Sequence, residues 1–293
     1  MNPVPPDEPY AERPGWSDLP PGVRGWVEQL HGEPVVRADS QRGGFSPGTA
    51  DRVVTTSGRR AFVKAVSTGH NPDSPGLLSR EADVLRVLPD SAGAPDLLGV
   101  GEGEISGQEW VVLVLEDVEG RHPRTPWEDA EVVAALDLLD RLAADPVPAG
   151  TGLPRLAEEF EPVLGPQGAA LLEGDALVHL DVRSDNLLVT PHGGMRLIDW
   201  PWACVGAPWV DSLLLLLNVR LFGAPDVSRY LPRVHALGAD DATIDAVLAG
   251  LAGFFGELAD QPPPRGLPTI RAFQRAQAAA SIEWVRERVG TES

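Results

Sequence analysis

The sequence predicts an α+β protein of two lobes, a smaller sheet-bearing one first and a larger, mainly helical one after it. Three observations carry this. Apolar runs of strand length, separated by turn signals, cluster before residue 117. Beyond Glu119 patterns of helical period dominate, over residues 127–144, 211–222, 241–258 and 268–289. The 293 residues exceed the usual single core, and no internal repeat divides them.

Residues 1–20 are rich in Pro, Asp and Glu with few apolar anchors, and read as a mobile arm. Residues 21–117 read as a short helix, strands, a helix and strands, the first lobe; residues 118–293 form the second. The stretch RGGFSPGTADRVVTT places a glycine-bearing turn between two strands. Gly43, Gly44 and Gly48 let backbone N–H groups turn toward an anion, and Ser46 adds a hydroxyl donor. The next strand, AFVKAV, holds Lys64, the single lysine among 24 lysine and arginine residues. Keeping a compact ammonium at one position suggests a demand that a broad guanidinium cannot meet.

The following helix, SPGLLSREADVLRVLPD, carries Glu81 in the middle of its apolar face, with Leu77, Leu78, Val84, Leu85 and Leu88 at helical spacing. A carboxylate aimed into a core is costly unless paired, so an ion pair with Lys64 is expected. The apolar strand from Trp110 to Leu115 then runs into the polar residues that link the lobes.

The stretch VHLDVRSDNLLVTPHGGMRLIDW, from Val178 to Trp200, holds Asp181, Asn186 and Asp199. A hairpin of LLVT and MRLI joined by the Pro-His-Gly-Gly turn would return Asp199 to the side of Asn186. These residue types suit phosphoryl transfer from a nucleotide. A carboxylate and a side-chain amide supply hard oxygen ligands for Mg²⁺, and a second carboxylate can orient an attacking hydroxyl and accept its proton. Asp181 fits the base and Asn186 with Asp199 the metal pair. Arg183 could set a permanent positive charge near the transferred group. His179 lies inside an apolar run and reads as a buried brace.

The pattern His-x-Asp-x-x-x-x-Asn followed by Ile-Asp-Trp resembles the catalytic and metal segments of the aminoglycoside phosphotransferase family. These are small-molecule kinases of bilobal protein-kinase-like fold, whose N-terminal lobe is an antiparallel sheet plus helix. The resemblance implies ATP or GTP with Mg²⁺ as cofactors, Lys64 and Glu81 as the phosphate-holding ion pair, and Gly44 and Ser46 in the phosphate loop. It also implies that the linker offers the Glu116 carbonyl and the Val118 N–H to the base, and that Asp211 braces the catalytic loop. An ordinary helix N-cap is the alternative for Asp211. Three residues depart from the family pattern: Leu180 and Asp185 stand where glycine is usual, and Pro201 follows the Asp-Trp pair.

Only eleven residues separate Asp199 from Asp211, too few for the activation segment of a protein kinase, so a small acceptor is expected. A non-catalytic nucleotide-binding or scaffold protein on the same fold is the reading from another class. The net charge of −19 argues against nucleic acid or an anionic membrane as partner. No basic, apolar leader opens the chain, and the single Cys204 excludes an internal disulfide, so a cytoplasmic location is expected, with Cys204 as a buried structural thiol. The resemblance places the acceptor between the helical segment before the catalytic strand and the C-terminal helices. Glu158, Glu159 and Glu161 of the former, with Glu283, Trp284 and Glu287 of the latter, would suit a cationic acceptor.

Overall fold

A computed structural model describes residues 11, 13–144, 147 and 150–290. Five strands, β1 (Val35–Ser40), β2 (Thr49–Thr55), β3 (Arg60–Ser67), β4 (Leu97–Ile105) and β5 (Gln108–Leu115), form one antiparallel sheet in the order β1-β2-β3-β5-β4. All six residues from Trp110 to Leu115 of β5 are buried, because helices cover both faces. On one face α1 (Pro21–His31) sets Val23 and Val27 against Val63, Ala65, Val112 and Val114. On the other, α2 (Ser74–Val87) sets Leu78 and Ala82 against Val66, Leu113 and Leu115. The two-residue period of β3 puts Lys64 on the same side as Val66, toward α2.

Most of the arm expected over residues 1–20 lies outside the described residues, but its later part corrects that expectation. Trp16–Asp18 form a 3₁₀ turn. The Trp16 N–H donates to Asp51 Oδ1 at 3.2 Å, and Leu19 is buried in the core beneath α1. Two apolar residues, Trp16 and Leu19, anchor a stretch whose overall composition is that of an arm.

The second lobe contains α3 (Asp129–Ala144), α4 (Leu156–Ala170), α5 (Val210–Phe222), α6 (Leu231–Ala236), α7 (Asp241–Ala259) and α8 (Ile270–Gly290). Two short antiparallel pairs lie among them: β6 (Ala176–Val178) with β9 (Cys204–Gly206), and β7 (Leu187–Val189) with β8 (Met195–Leu197). The second pair is the hairpin expected from sequence. Helix α5 is apolar nearly all round, and Leu213, Leu215, Leu216 and Leu217 are all buried, as a helix in the centre of a lobe must be. Helix α7 is long and apolar enough to cross a membrane by length and composition, and here it packs against α8 and α4.

Two of the ties between the lobes are made by Arg196 and by the segment before α8. Arg196 of β8 donates to both carboxylate oxygens of Glu116, at 3.0 and 2.9 Å, and to the carbonyls of Gly93 and Ala94 at 2.8 Å. The second tie is made by the segment before α8. Asn71 Nδ2 donates to the Arg265 carbonyl at 2.9 Å, and Gly266 approaches Pro47 so closely that a Cβ there would lie 2.7 Å from the proline.

Candidate active site

The loop after β6 is fixed by Asp211. Its two carboxylate oxygens accept the N–H groups of His179 at 2.7 Å and Leu180 at 2.9 Å. Asp211 is therefore the loop brace and not the helix cap, a position held by Trp209. Burial pushes its pKa up to about 6, against the two N–H bonds. Leu180 has φ 68°, a left-handed conformation that costs a side-chain-bearing residue about 1–2 kcal/mol and explains why glycine suits this position.

His179 is fully buried, as expected of a brace. Its Nε2 donates to the Ile198 carbonyl at 3.1 Å and its Nδ1 accepts the Asp181 N–H at 3.3 Å. The ring meets Trp200 edge to face at 4.5 Å. Burial takes its pKa down to about 4, so the imidazole stays neutral at physiological pH. A second brace, not foreseen, comes from Asn218 of α5. Its Oδ1 accepts from the Ser184 N–H at 3.2 Å and from Trp127 Nε1 at 3.3 Å. The sequence signal was an asparagine at the end of a five-leucine run.

Lys64 joins the lobes chemically. Its Nζ lies 2.7 Å from each oxygen of Glu81 and 2.6 Å from Asp199 Oδ1. Burial pulls the ammonium pKa down, but Asp199 and Glu81 outweigh it and leave it above its ordinary value. Burial likewise opposes an ionised Asp199, whose pKa the Lys64 ammonium nevertheless holds below the usual carboxylate range. Glu81 also accepts the Trp200 N–H, at 3.4 Å, which fastens α2 to the residue after Asp199.

Asp181 and Asn186 face one another within their loop. Asn186 Nδ2 donates to the Asp181 carbonyl at 2.9 Å and to Asp181 Oδ2 at 2.8 Å. Burial raises the Asp181 pKa to about 6, with Arg183 opposing and Asp185 and Asp199 adding to the rise. The Ile198 N–H donates to the Asn186 carbonyl at 3.0 Å, so Asp199 follows directly beside Asn186. Arg183 pairs with Asp181 at 3.3 Å and with Asp185 at 3.1 Å, and lies 5.5 and 5.7 Å from the rings of Phe45 and Phe273. The extra negative charge at Asp185 is thus taken up by Arg183. Phe45 and Phe273, 4.9 Å apart, bring the glycine turn to α8, a contact that no motif announces.

The donor set fits a hard divalent ion. The Asn186 amide nitrogen is committed to Asp181 and Asp199 Oδ1 to Lys64, which leaves Asn186 Oδ1 and Asp199 Oδ2 as oxygen donors. Among the described residues no cluster of three His, Cys, Asp or Glu offers another metal site.

The remaining expected residues are placed less completely. Gly44, at φ 72°, lies in a turn near the loop of Asp181 and Asn186, where a Cβ would sit 3.8 Å from Asp185 Oδ2. Ser46 shares that turn and is half-buried. In the linker the Val118 N–H donates to the Glu116 carbonyl at 3.1 Å, so the two groups expected to face a base here satisfy each other. Two members of the acidic and aromatic cradle expected for a cationic acceptor are engaged elsewhere. Trp284 is buried in the lobe's core, and Glu287 is ion-paired with Arg220. Trp284 turned inward because it lies on the apolar face of α8. Cys204 is buried as expected, and burial raises its thiol pKa.

No protein-family model matches the chain, and no curated protein matches it in sequence. Its architecture, a five-stranded sheet lobe with α2 joined to a helical lobe, is the kinase-like fold of small-molecule phosphotransferase structures. Macrolide 2'-phosphotransferase MphH from Brachybacterium faecium matches with a TM-score of 0.52 at 17% identity, over 89% of this chain and 98% of that one. Choline kinase LicA from Streptococcus pneumoniae matches with a TM-score of 0.55 at 15% identity, over 89% and 98%. Amicoumacin kinase hAmiN, in complex with AMP-PNP, Ca²⁺ and Ami, gives 0.56 at 12% identity, over 84% and 88%. At such identities the likeness is one of fold.

Proposed function

We propose that the protein transfers the γ-phosphoryl group of ATP or GTP to a hydroxyl of a small molecule. The observation that carries this reading is the Lys64 ammonium, bonded at once to Glu81 of the first lobe and Asp199 of the second, beside the Asp181–Asn186 pair. A buried lysine between two carboxylates is a costly arrangement for structure alone, and suits a site that receives polyphosphate.

Asp181 accepts the proton of the acceptor hydroxyl as its oxygen bonds to the γ-phosphorus and the bond to the leaving nucleoside diphosphate breaks. Its buried position and raised pKa bring it nearer the proton affinity that such a base needs. Lys64 holds the nucleotide phosphates while Glu81 aims it. Asp211 and His179 keep the loop still. Asn186 and Asp199 would hold Mg²⁺, which supplies charge neutralisation of the phosphates when bound. The Glu116 carbonyl and Val118 N–H would receive the base edge once their mutual bond opens.

The acceptor class is best found by measuring nucleotide consumption by the purified protein across aminoglycosides, macrolides, amino alcohols and hydroxylated metabolites. Consumption that depends on one class, and that Asp181→Asn removes, is expected. Nucleotide binding without turnover for any acceptor, unchanged by Asp181→Asn, would instead support the non-catalytic reading. Expression in a sensitive host, with growth read against the antibiotic hits, tests a role in resistance.

A further inference from the structure

Arg13 belongs to the stretch expected to be an arm, and no motif marks it. The chain that leads into the Trp16 turn nevertheless carries its guanidinium into the cleft. Its Nη2 lies against Gly44, 3.0 Å from where a Cβ would stand, and the same point is 3.8 Å from Asp185 Oδ2. The guanidinium therefore lies against the glycine turn and within reach of the field of the catalytic-loop carboxylates. The carboxylates that act on it most strongly are those of Asp199 and Asp185, followed by Asp51.

Two features separate Arg13 from a structural arginine. Its Nε is buried without a hydrogen-bond partner among the described residues, although buried N–H groups are nearly always paired. No carboxylate approaches it closely enough for an ion pair among the described residues, whereas Arg183, in the same cleft, has two. Burial lowers its pKa, and the three carboxylates only partly offset this, so the charge is held in a place that costs stability. Such an uncommitted guanidinium over a glycine turn is suited to a dianionic or trianionic oxygen group.

We propose that Arg13 is a further phosphate-binding residue, delivered from the N-terminal segment to the outer phosphates of the nucleotide. This rests on the kinase reading above. Gly44 is required on this account to let the guanidinium lie against the turn, and Trp16 with Leu19 hold the segment that presents it. Removing Arg13 should then weaken binding in proportion to the outer phosphates that a nucleotide carries.

The test compares the full chain with Arg13→Gln and Arg13→Lys, titrated calorimetrically with AMP-PNP and with AMP in the presence of Mg²⁺. Arg13→Gln should weaken AMP-PNP at least about tenfold and leave AMP within about twofold, with Arg13→Lys intermediate. Thermal melting of each variant confirms that it folds. Unchanged AMP-PNP affinity in both variants overturns the assignment, as does an equal loss for AMP, which would mark a general effect on the lobe. Tighter AMP-PNP binding overturns it too, since the arginine would then be a plug that the nucleotide must displace. A wild-type protein that binds neither nucleotide refutes the kinase reading itself, and this inference with it.

Discussion

At the scale of single residues, Lys64 and Glu81 were legible because each is unusual for its surroundings, and Asp181, Asn186 and Asp199 because of their spacing about a hairpin. A lone lysine in an apolar strand and a glutamate on an apolar helix face each carry a desolvation cost that only a charged partner offsets, so the two point to one another. Arg13, Phe45 and Phe273 were not legible, since an arginine or phenylalanine is commonplace wherever it stands in a chain, and only the fold brings these three to the cleft. Asp181→Asn should abolish transfer while nucleotide affinity stays within about threefold, because on the proposed reading that side chain serves the acceptor hydroxyl and not the nucleotide. In the wild type, kcat/KM should fall as pH drops through about 6, where the Asp181 carboxylate takes up a proton. Rates that stay level down to about pH 5 would remove Asp181 from the role of base. Lys64→Arg, which keeps the charge, should still lower activity at least about tenfold, on the order of 1.4 kcal/mol of transition-state stabilisation. A guanidinium cannot fit among three carboxylate oxygens that all lie within 2.7 Å of one ammonium nitrogen. Normal turnover by that variant would make the sole lysine an accident of composition.

At the scale of elements, the long helices and the central strands followed from hydrophobic period. β9 did not, because three residues paired with β6 are too short to show a period. The ambiguity at Asp211 was also settled by packing: a carboxylate at a helix start reads the same in sequence whether it caps its own helix or reaches to another segment. Its placement has a consequence for pH. The acid has an unfolded pKa of about 3.9 and a folded one of about 6, so the folded state holds the proton more tightly. The stability contributed by this group is fully present below the unfolded value and is lost as pH rises through about 6, by roughly 3 kcal/mol in all. Asp211→Asn has no such titration, so urea unfolding should show wild type losing ground to the variant between about pH 4 and about pH 7. Parallel curves would contradict the burial argument. The variant's kcat should drop at least about tenfold, since His179 and Leu180 donate to different oxygens of Asp211 and the asparagine would turn an NH₂ donor toward one of those two N–H groups.

At the scale of the whole molecule, the two-lobe plan was legible from the change in period near residue 117, but the contacts that tie the lobes were not. Arg196 was one arginine among many, and the segment before α8 carries Pro and Gly that read only as a loop. Arg196→Ala removes the donors to both oxygens of Glu116 and to the Gly93 and Ala94 carbonyls. It should cost about 2 kcal/mol, less than four separate bonds would suggest because water reaches the site. A melting temperature within about 1 °C of wild type would show that these bonds are matched by solvent. Asn71→Ala, at the other tie, should cost about 1 kcal/mol.

The ion pair between Lys64 and Asp199 also sets an order of events. The ammonium is bonded to one of the two Asp199 oxygens and to both of Glu81. A bare divalent ion entering the cleft would meet a carboxylate whose charge is already matched, with a cation 2.6 Å from one of its oxygens. Polyphosphate changes that balance, since it offers Lys64 new oxygen partners and surrounds the incoming ion with charge of its own. On the proposed reading Mg²⁺ should therefore enter as the nucleotide complex, and free Mg²⁺ titrated into the protein alone should give no measurable heat at concentrations that produce binding once nucleotide is present.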